Sequence, residues 1–200
     1  KGGVGKSVIA ANLAVAMAQA GAKVIVVDAD LGAANQHTLF GIDRPGVTLQ
    51  GLFTHTIEHL GQAAVPSGVR GLWVIPGSGA VAGAANVNHG QKLRLMNEIR
   101  KLDADVVVID VGAGVSYNVL DLFEVADVRL VVSTPQLTAV QNAYSFLKGA
   151  VHRALRETAK AFGAAELFDT EINGRETDRV SHWLAHTRRV FRPGPRRVRQ

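Results

Sequence analysis

The first seven residues constrain the fold more than anything after them. Lys1-Gly-Gly-Val-Gly-Lys-Ser7 ends the pattern G-x-x-x-x-G-K-[ST], whose opening Gly would stand one position ahead of Lys1. Glycines let a backbone curl until successive N–H groups converge on phosphate oxygens. That assigns Gly2, Gly3, Val4, Gly5, Lys6, Ser7 and Val8 to a phosphate cradle. Lys6 is expected to reach the β- and γ-phosphates, and the Ser7 hydroxyl to ligate Mg²⁺. A helix must follow, so that its N-terminal dipole joins the anion site. Residues 8–20 meet that demand: they are Ala-rich, uncharged and free of Gly and Pro, with Gly21 placed to stop the helix. Apolar nearly all round, this helix is expected to be buried against a sheet. The strand that leads into such a loop is expected ahead of Lys1. A piece without it has a gap or an open edge in its sheet and is expected to be much less stable than the complete protein.

The rest of the chain alternates between strand and helix patterns. Lys23-Val-Ile-Val-Val-Asp28-Ala-Asp30 is an apolar run ending in acid, as in a buried parallel strand. Its carboxyl end is where doubly wound sheets bind ligands. There Asp28 and Asp30 suit Mg²⁺ waters or an attacking water. A helix is predicted over 48–60, with Thr48 as N-cap and Leu49, Leu52, Phe53, Ile57 and Leu60 on one face. A strand follows over 71–77, then a helix over 91–102 with Leu93, Met96 and Ile99 inward. The strand 105–110 ends in Asp110, a carboxylate placed to hold Mg²⁺ through water. A backbone N–H at Gly112 is then in position to sense the γ-phosphate. A fifth strand is predicted over 128–132. Leu137, Val140, Tyr144, Leu147, Val151 and Leu155 then recur at helical spacing, giving one long helix to about 162 with this stripe toward the core. A helix lying on a membrane would want more basic flanks. The expected class is therefore α/β: a doubly wound, mostly parallel sheet with helices on both faces. Residues 1–162 form the nucleotide-binding domain, and 163–200 a partly irregular basic tail.

Charge and composition narrow the function. The net charge is +5, yet Arg188, Arg189, Arg192, Arg196, Arg197 and Arg199 contribute six positive charges, leaving −1 for the rest. A DNA-binding surface on the folded part is therefore not expected. Pro193, Gly194 and Pro195 break any helix that would organise the arginines, so a solvated end is the simpler reading of this tail. The absence of Cys removes disulfides, thiolate zinc and Cys-ligated iron–sulfur clusters from this stretch, and suits a cytoplasmic protein. His55 and His59, and His182 and His186, are i,i+4 pairs without a third ligand nearby, and are read as surface residues.

With the motifs in order, a resemblance emerges. The second lysine ahead of the usual one, in Lys1-Gly-Gly-Val-Gly-Lys-Ser7, resembles the deviant signature of the MinD/ParA class of P-loop ATPases. Asp28-Ala-Asp-Leu-Gly-Ala-Ala-Asn35, Ile75-Pro-Gly-Ser-Gly79, Ile109-Asp-Val-Gly-Ala-Gly-Val-Ser116 and Ser133-Thr-Pro-Gln-Leu-Thr-Ala-Val-Gln-Asn-Ala-Tyr144 look like the FlhG/FleN flagellar-number branch. The match covers about residues 1–150. The resemblance implies that Lys1 reaches across a dimer interface to the partner's phosphates, as an arginine finger does. It further implies that Asp30 orients the attacking water in switch I, that Asp110 is the Walker B acid, and that Gly112 lies in switch II. The implied cofactors are ATP/ADP and Mg²⁺. The implied cycle is an ATP-dependent homodimer released by hydrolysis, slow until a protein partner stimulates it. Peripheral association with the inner face of the plasma membrane belongs to the same expectation. The implied role is spatial regulation of flagella or of cell division. The alternatives are a ParA-type DNA partition ATPase and a nucleotide-dependent interaction protein with little hydrolysis.

Overall fold

A computed structural model describes residues 3–30, 32, 34–77 and 87–163. The glycine-rich turn runs straight into helix α1 (Lys6–Gln19). Gly3 and Gly5 sit at φ 80° and 92°, the left-handed region that only glycine enters cheaply. Gly21, at φ 99°, ends α1 as expected, and the Ala22 N–H closes back on the Met17 carbonyl.

Strand β1 (Val24–Ala29) is buried at every position, which fits its unbroken apolar run. Between β1 and the next strands lie the short helices α2 (Gln36–Leu39) and α3 (Gln50–Phe53) and a 3₁₀ turn (Leu60–Ala63). Strands β2 (Val65–Pro66) and β3 (Leu72–Ile75) form an antiparallel pair. Helix α4 (His89–Arg100) leads to β4 (Val106–Val111), helix α5 (Tyr117–Val125) and the long helix α6 (Leu137–Ala161). The sheet order is β2-β3-β1-β4, with β1 parallel to both β3 and β4.

The pleat divides the core. Val24 and Val26 of β1 meet Ala14 and Ala18 of α1 on one face of the sheet. Ile25, Val27 and Ala29 meet Leu52, Leu60, Leu95 and Ile99 from α3, the 3₁₀ turn and α4 on the other. Helices thus cover both faces, as the alternating pattern implied. Alanines on α1 let the helix lie close to the strands, but Val8 and Ile9 remain exposed, so α1 is not buried all round.

Four expectations are corrected. The segment 48–60 is not one helix: α3 ends at Phe53, and His55 takes φ 60°. The apolar face survives the break, since Leu49, Leu52, Phe53, Ile57 and Leu60 are all buried, and the Thr48 hydroxyl accepts the Gln50 N–H at 3.3 Å. On α4, Leu95 faces the core and Leu93 is exposed. An Asn88–Gln91 capping box starts that helix before Gln91.

Residues 128–132 form no strand. Among the described residues β4 pairs only with β1, and a segment without a neighbour has no ladder in which to place its N–H and C=O groups. Val128 and Leu130 are exposed, and the Arg129 side chain donates instead to the Phe123 and Glu124 carbonyls at the end of α5.

Finally, the stripe Leu137, Val140, Tyr144, Leu147 and Val151 of α6 faces outward. The helix buries Ala139 and Ala150 instead, and sets Phe146 edge-on to Phe123 with ring centroids 4.9 Å apart. One compact unit ends at Arg153 and a second begins at Ala154. The basic tail and His182 and His186 lie outside the described residues. No helix among those described is long and apolar enough to cross a membrane.

Candidate functional site

Parallel pairing sets Asp28 of β1 directly beside Asp110 of β4. Both lie at the carboxyl ends of their strands, and both are buried, at 0% and 3% exposure. Burial pushes the Asp28 carboxyl up to about 6 from its ordinary 3.8, and the Asp110 charge adds to that push. The N–H groups of Gln36, Asp30 and Asn35 pull the other way. Two buried carboxylates in register call for a cation between or beside them. Hard oxygen donors on a short reach fit Mg²⁺.

The first turn of α1 is joined to this pair through Gln36. The Gln36 side chain, fully buried, donates from Nε2 to the Ser7 carbonyl at 3.0 Å and to Asp110 Oδ2 at 2.8 Å. Its backbone N–H donates to Asp28 Oδ2 at 2.9 Å. Ser7, Asp28 and Asp110 are therefore gathered at one place, as a metal site needs. Their spacing in sequence hides this, but the strand register reveals it. Among the described residues no group of three or more His, Cys, Asp or Glu side chains forms a metal cluster. Magnesium would be held by the two carboxylates together with the Ser7 hydroxyl and phosphate oxygens.

Asp30 follows β1 and turns toward the other loop. Its Oδ1 accepts the Gly32 N–H at 3.2 Å. A Cβ added at Gly112 would lie 2.9 Å from the same oxygen, so Gly112 lets the loop after β4 close on Asp30. Gly77 serves the end of β3 in the same way: a Cβ there would lie 2.7 Å from the Asp28 carbonyl and 2.6 Å from the Ala34 Cβ.

Gly3, Val4 and Gly5 form the turn, and Lys6, Ser7 and Val8 the first turn of α1. Lys1 and Gly2 lie outside the described residues. Sequence reasoning missed Gln36. It carries no motif signal, and its role appears only once α2 is seen to start beneath Asp28. His55 meets the Arg94 guanidinium at 2.5 Å and His59 the Glu98 carboxylate at 3.4 Å, so the two rings engage different partners rather than one metal.

The family model ParA, described as NUBPL iron-transfer P-loop NTPase, matches residues 1–152. The antiactivator FleN of Pseudomonas aeruginosa is 32% identical over 149 residues, covering 74% of this chain and 52% of FleN. The flagellum site-determining protein YlxH of Helicobacter pylori is 33% identical over 150 residues, covering 74% of this chain and 50% of YlxH. The chain thus spans about half the length of these curated relatives. Among solved structures, the cell division ATPase MinD of Pyrococcus furiosus superposes with a TM-score of 0.66 at 26% identity, over 79% of this chain and 64% of that one.

Proposed function

The chain belongs to the ParA/MinD family of P-loop NTPases, with FleN and YlxH among its relatives, and from that premise we propose that it binds and hydrolyses ATP as a dimerisation switch. The observation that carries this reading is the Asp28–Asp110 pair, buried in register and joined through Gln36 to the first turn of α1. The N–H groups of residues 3–8 hold the phosphates, and Lys6 neutralises the β- and γ-phosphate charge. Ser7, Asp28 and Asp110 would hold magnesium, which would supply further charge neutralisation on the phosphates. Asp30 orients the attacking water, and Gly112 offers its N–H beside the γ-phosphate, so loss of that phosphate releases the loop after β4. Lys1 reaches the phosphates of a second copy, which ties hydrolysis to dimerisation. Turnover is slow until a protein partner stimulates it.

The cellular role proposed is spatial regulation of flagellar number and placement or of division; the names of YlxH, flagellum site-determining, and of MinD, cell division ATPase, support placement and division. The protein works in the cytoplasm and docks reversibly at the inner face of the plasma membrane. These 200 residues contain no Cys, so no thiolate in this stretch ligates an iron–sulfur cluster.

ATP hydrolysis and sedimentation in ATP and in ADP, compared between the parent chain and Lys1→Ala, test the mechanism. Dimers that need ATP, and turnover that needs Lys1, are expected. A monomer whose turnover ignores Lys1→Ala would point to a P-loop enzyme acting in cis.

A further inference from the structure

Gln36 is a polar side chain with 0% exposure at the centre of the nucleotide site. Its amide cannot be turned round. Both neighbours of Nε2, the Ser7 carbonyl and the Asp110 carboxylate, are acceptors only, so a flipped amide would set oxygen against oxygen at 3.0 and 2.8 Å. Oε1 is therefore held on the remaining side, where it is buried without a hydrogen-bond partner among the described residues. Leaving such a carbonyl unpaired is unfavourable, and a donor arriving with a ligand removes that cost.

The backbone of the same residue is also engaged. Its N–H ends on Asp28 Oδ2, so one residue touches both buried carboxylates and the carbonyl of the residue whose hydroxyl would ligate the metal. It also begins α2, at the end of the segment that carries Asp30. A nonpolar side chain of the same size would fill this space without the bonds to Ser7 and Asp110, while the backbone bond to Asp28 would stay.

We propose that Gln36 is a positioning residue of the magnesium site: its amide NH₂ fixes the Asp110 carboxylate against α1, and its free Oε1 accepts a hydrogen bond from a magnesium-bound water. This rests on the ATPase reading above. It adds that Gln36, which follows Asp30 by six positions, is latched to Asp110, so magnesium arrival and the placement of Asp30 are linked through one side chain. Residues that orient metal ligands in this way typically change metal affinity by about 10- to 100-fold when replaced.

The test is ADP binding by calorimetry, in EDTA and in saturating Mg²⁺, for the parent and for Gln36→Met, which keeps the volume and removes both polar ends. The parent gains affinity from Mg²⁺. Gln36→Met is expected to match the parent in EDTA within about twofold and to lose about tenfold or more of the magnesium gain. An intact magnesium gain overturns the proposal. So does an equal loss in EDTA and in Mg²⁺, which is what a merely structural side chain produces.

Gln36→Glu gives a second reading should the Met variant not fold. It puts a third carboxylate beside Asp28 and Asp110, so Mg²⁺ should raise its melting temperature more than it raises the parent's. A smaller rise than the parent's overturns the proposal. A parent that binds ADP in neither condition removes the nucleotide reading itself, and this inference with it. A parent that binds normally beside an unaffected Gln36→Met removes only the inference.

Discussion

Replacing Asp121 tests how α4, α5 and α6 are held. Asp121 of α5 has a side chain only 11% exposed and carries two cations. Lys92 of α4, 8% exposed at its side chain, pairs with Oδ2. Arg153 of α6 donates from Nε to Oδ1 at 2.9 Å, and its guanidinium lies over the Tyr117 ring at 5.0 Å. The three side chains join α4, α5 and α6. Asp121→Asn therefore leaves the buried Lys92 ammonium without its carboxylate and removes one anchor of Arg153, a loss of about 3–5 kcal/mol. Lys92→Met leaves the Asp121–Arg153 pair in place, and should cost about 1 kcal/mol or less. With a urea slope of about 2 kcal/mol/M, Asp121→Asn should lower the unfolding midpoint by roughly 2 M, and Lys92→Met by less than about 0.5 M. Adding Lys92→Met to Asp121→Asn should recover part of the loss, which a double-mutant cycle would read directly. Equal midpoints for the two single variants would refute the dependence of Lys92 on Asp121, and absence of recovery would refute the coupling.

Other predictions concern the site. The Asp28 carboxyl, raised from 3.8 to about 6, favours folding when protonated; that contribution is full below about 4 and is lost as pH rises through about 6. The shift corresponds to a loss on the order of 3 kcal/mol. The metal-free protein should therefore weaken between pH 4 and pH 7 by roughly this amount, Mg²⁺ should stabilise it more at the upper end, and Asp28→Asn should flatten the profile. A profile unchanged in Asp28→Asn would assign the titration elsewhere. Gly112→Ala forces a methyl to 2.9 Å from Asp30 Oδ1. It should lower ATP turnover about tenfold or more while ADP binding holds, and a loss of ADP binding instead would place Gly112 in the phosphate cradle. Asn88→Ala removes the Asn88 Oδ1 bond to the Gln91 N–H at 2.9 Å. It should cost about 1 kcal/mol in chemical denaturation, and no loss would mean that solvent replaces the cap.

What the chain determined by itself is the part written in local rules. Glycines at positions 3 and 5 accept torsions that other residues refuse, so the turn and the start of α1 are legible without a fold. Val24–Ala29 and Val106–Val111 read as strands because their apolar runs are unbroken, and each carries its acid at the ligand end. Tertiary structure decided what periodicity leaves open. Helix α6 offers two faces, and the pattern favoured the aliphatic one; the helix instead buries Ala139 and Ala150, and turns Phe146 to the Phe123 ring and Arg153 to Asp121 of α5. The same choice put Leu95 rather than Leu93 inward on α4. Residues 128–132 have a strand's composition but no ladder, since a strand exists only against a neighbour's free N–H and C=O groups. Gln36 enters the site for a related reason. Its neighbours Ser7 and Asp110 are 29 and 74 residues away along the chain, and only the register of β1 on β4 brings them within reach of one amide.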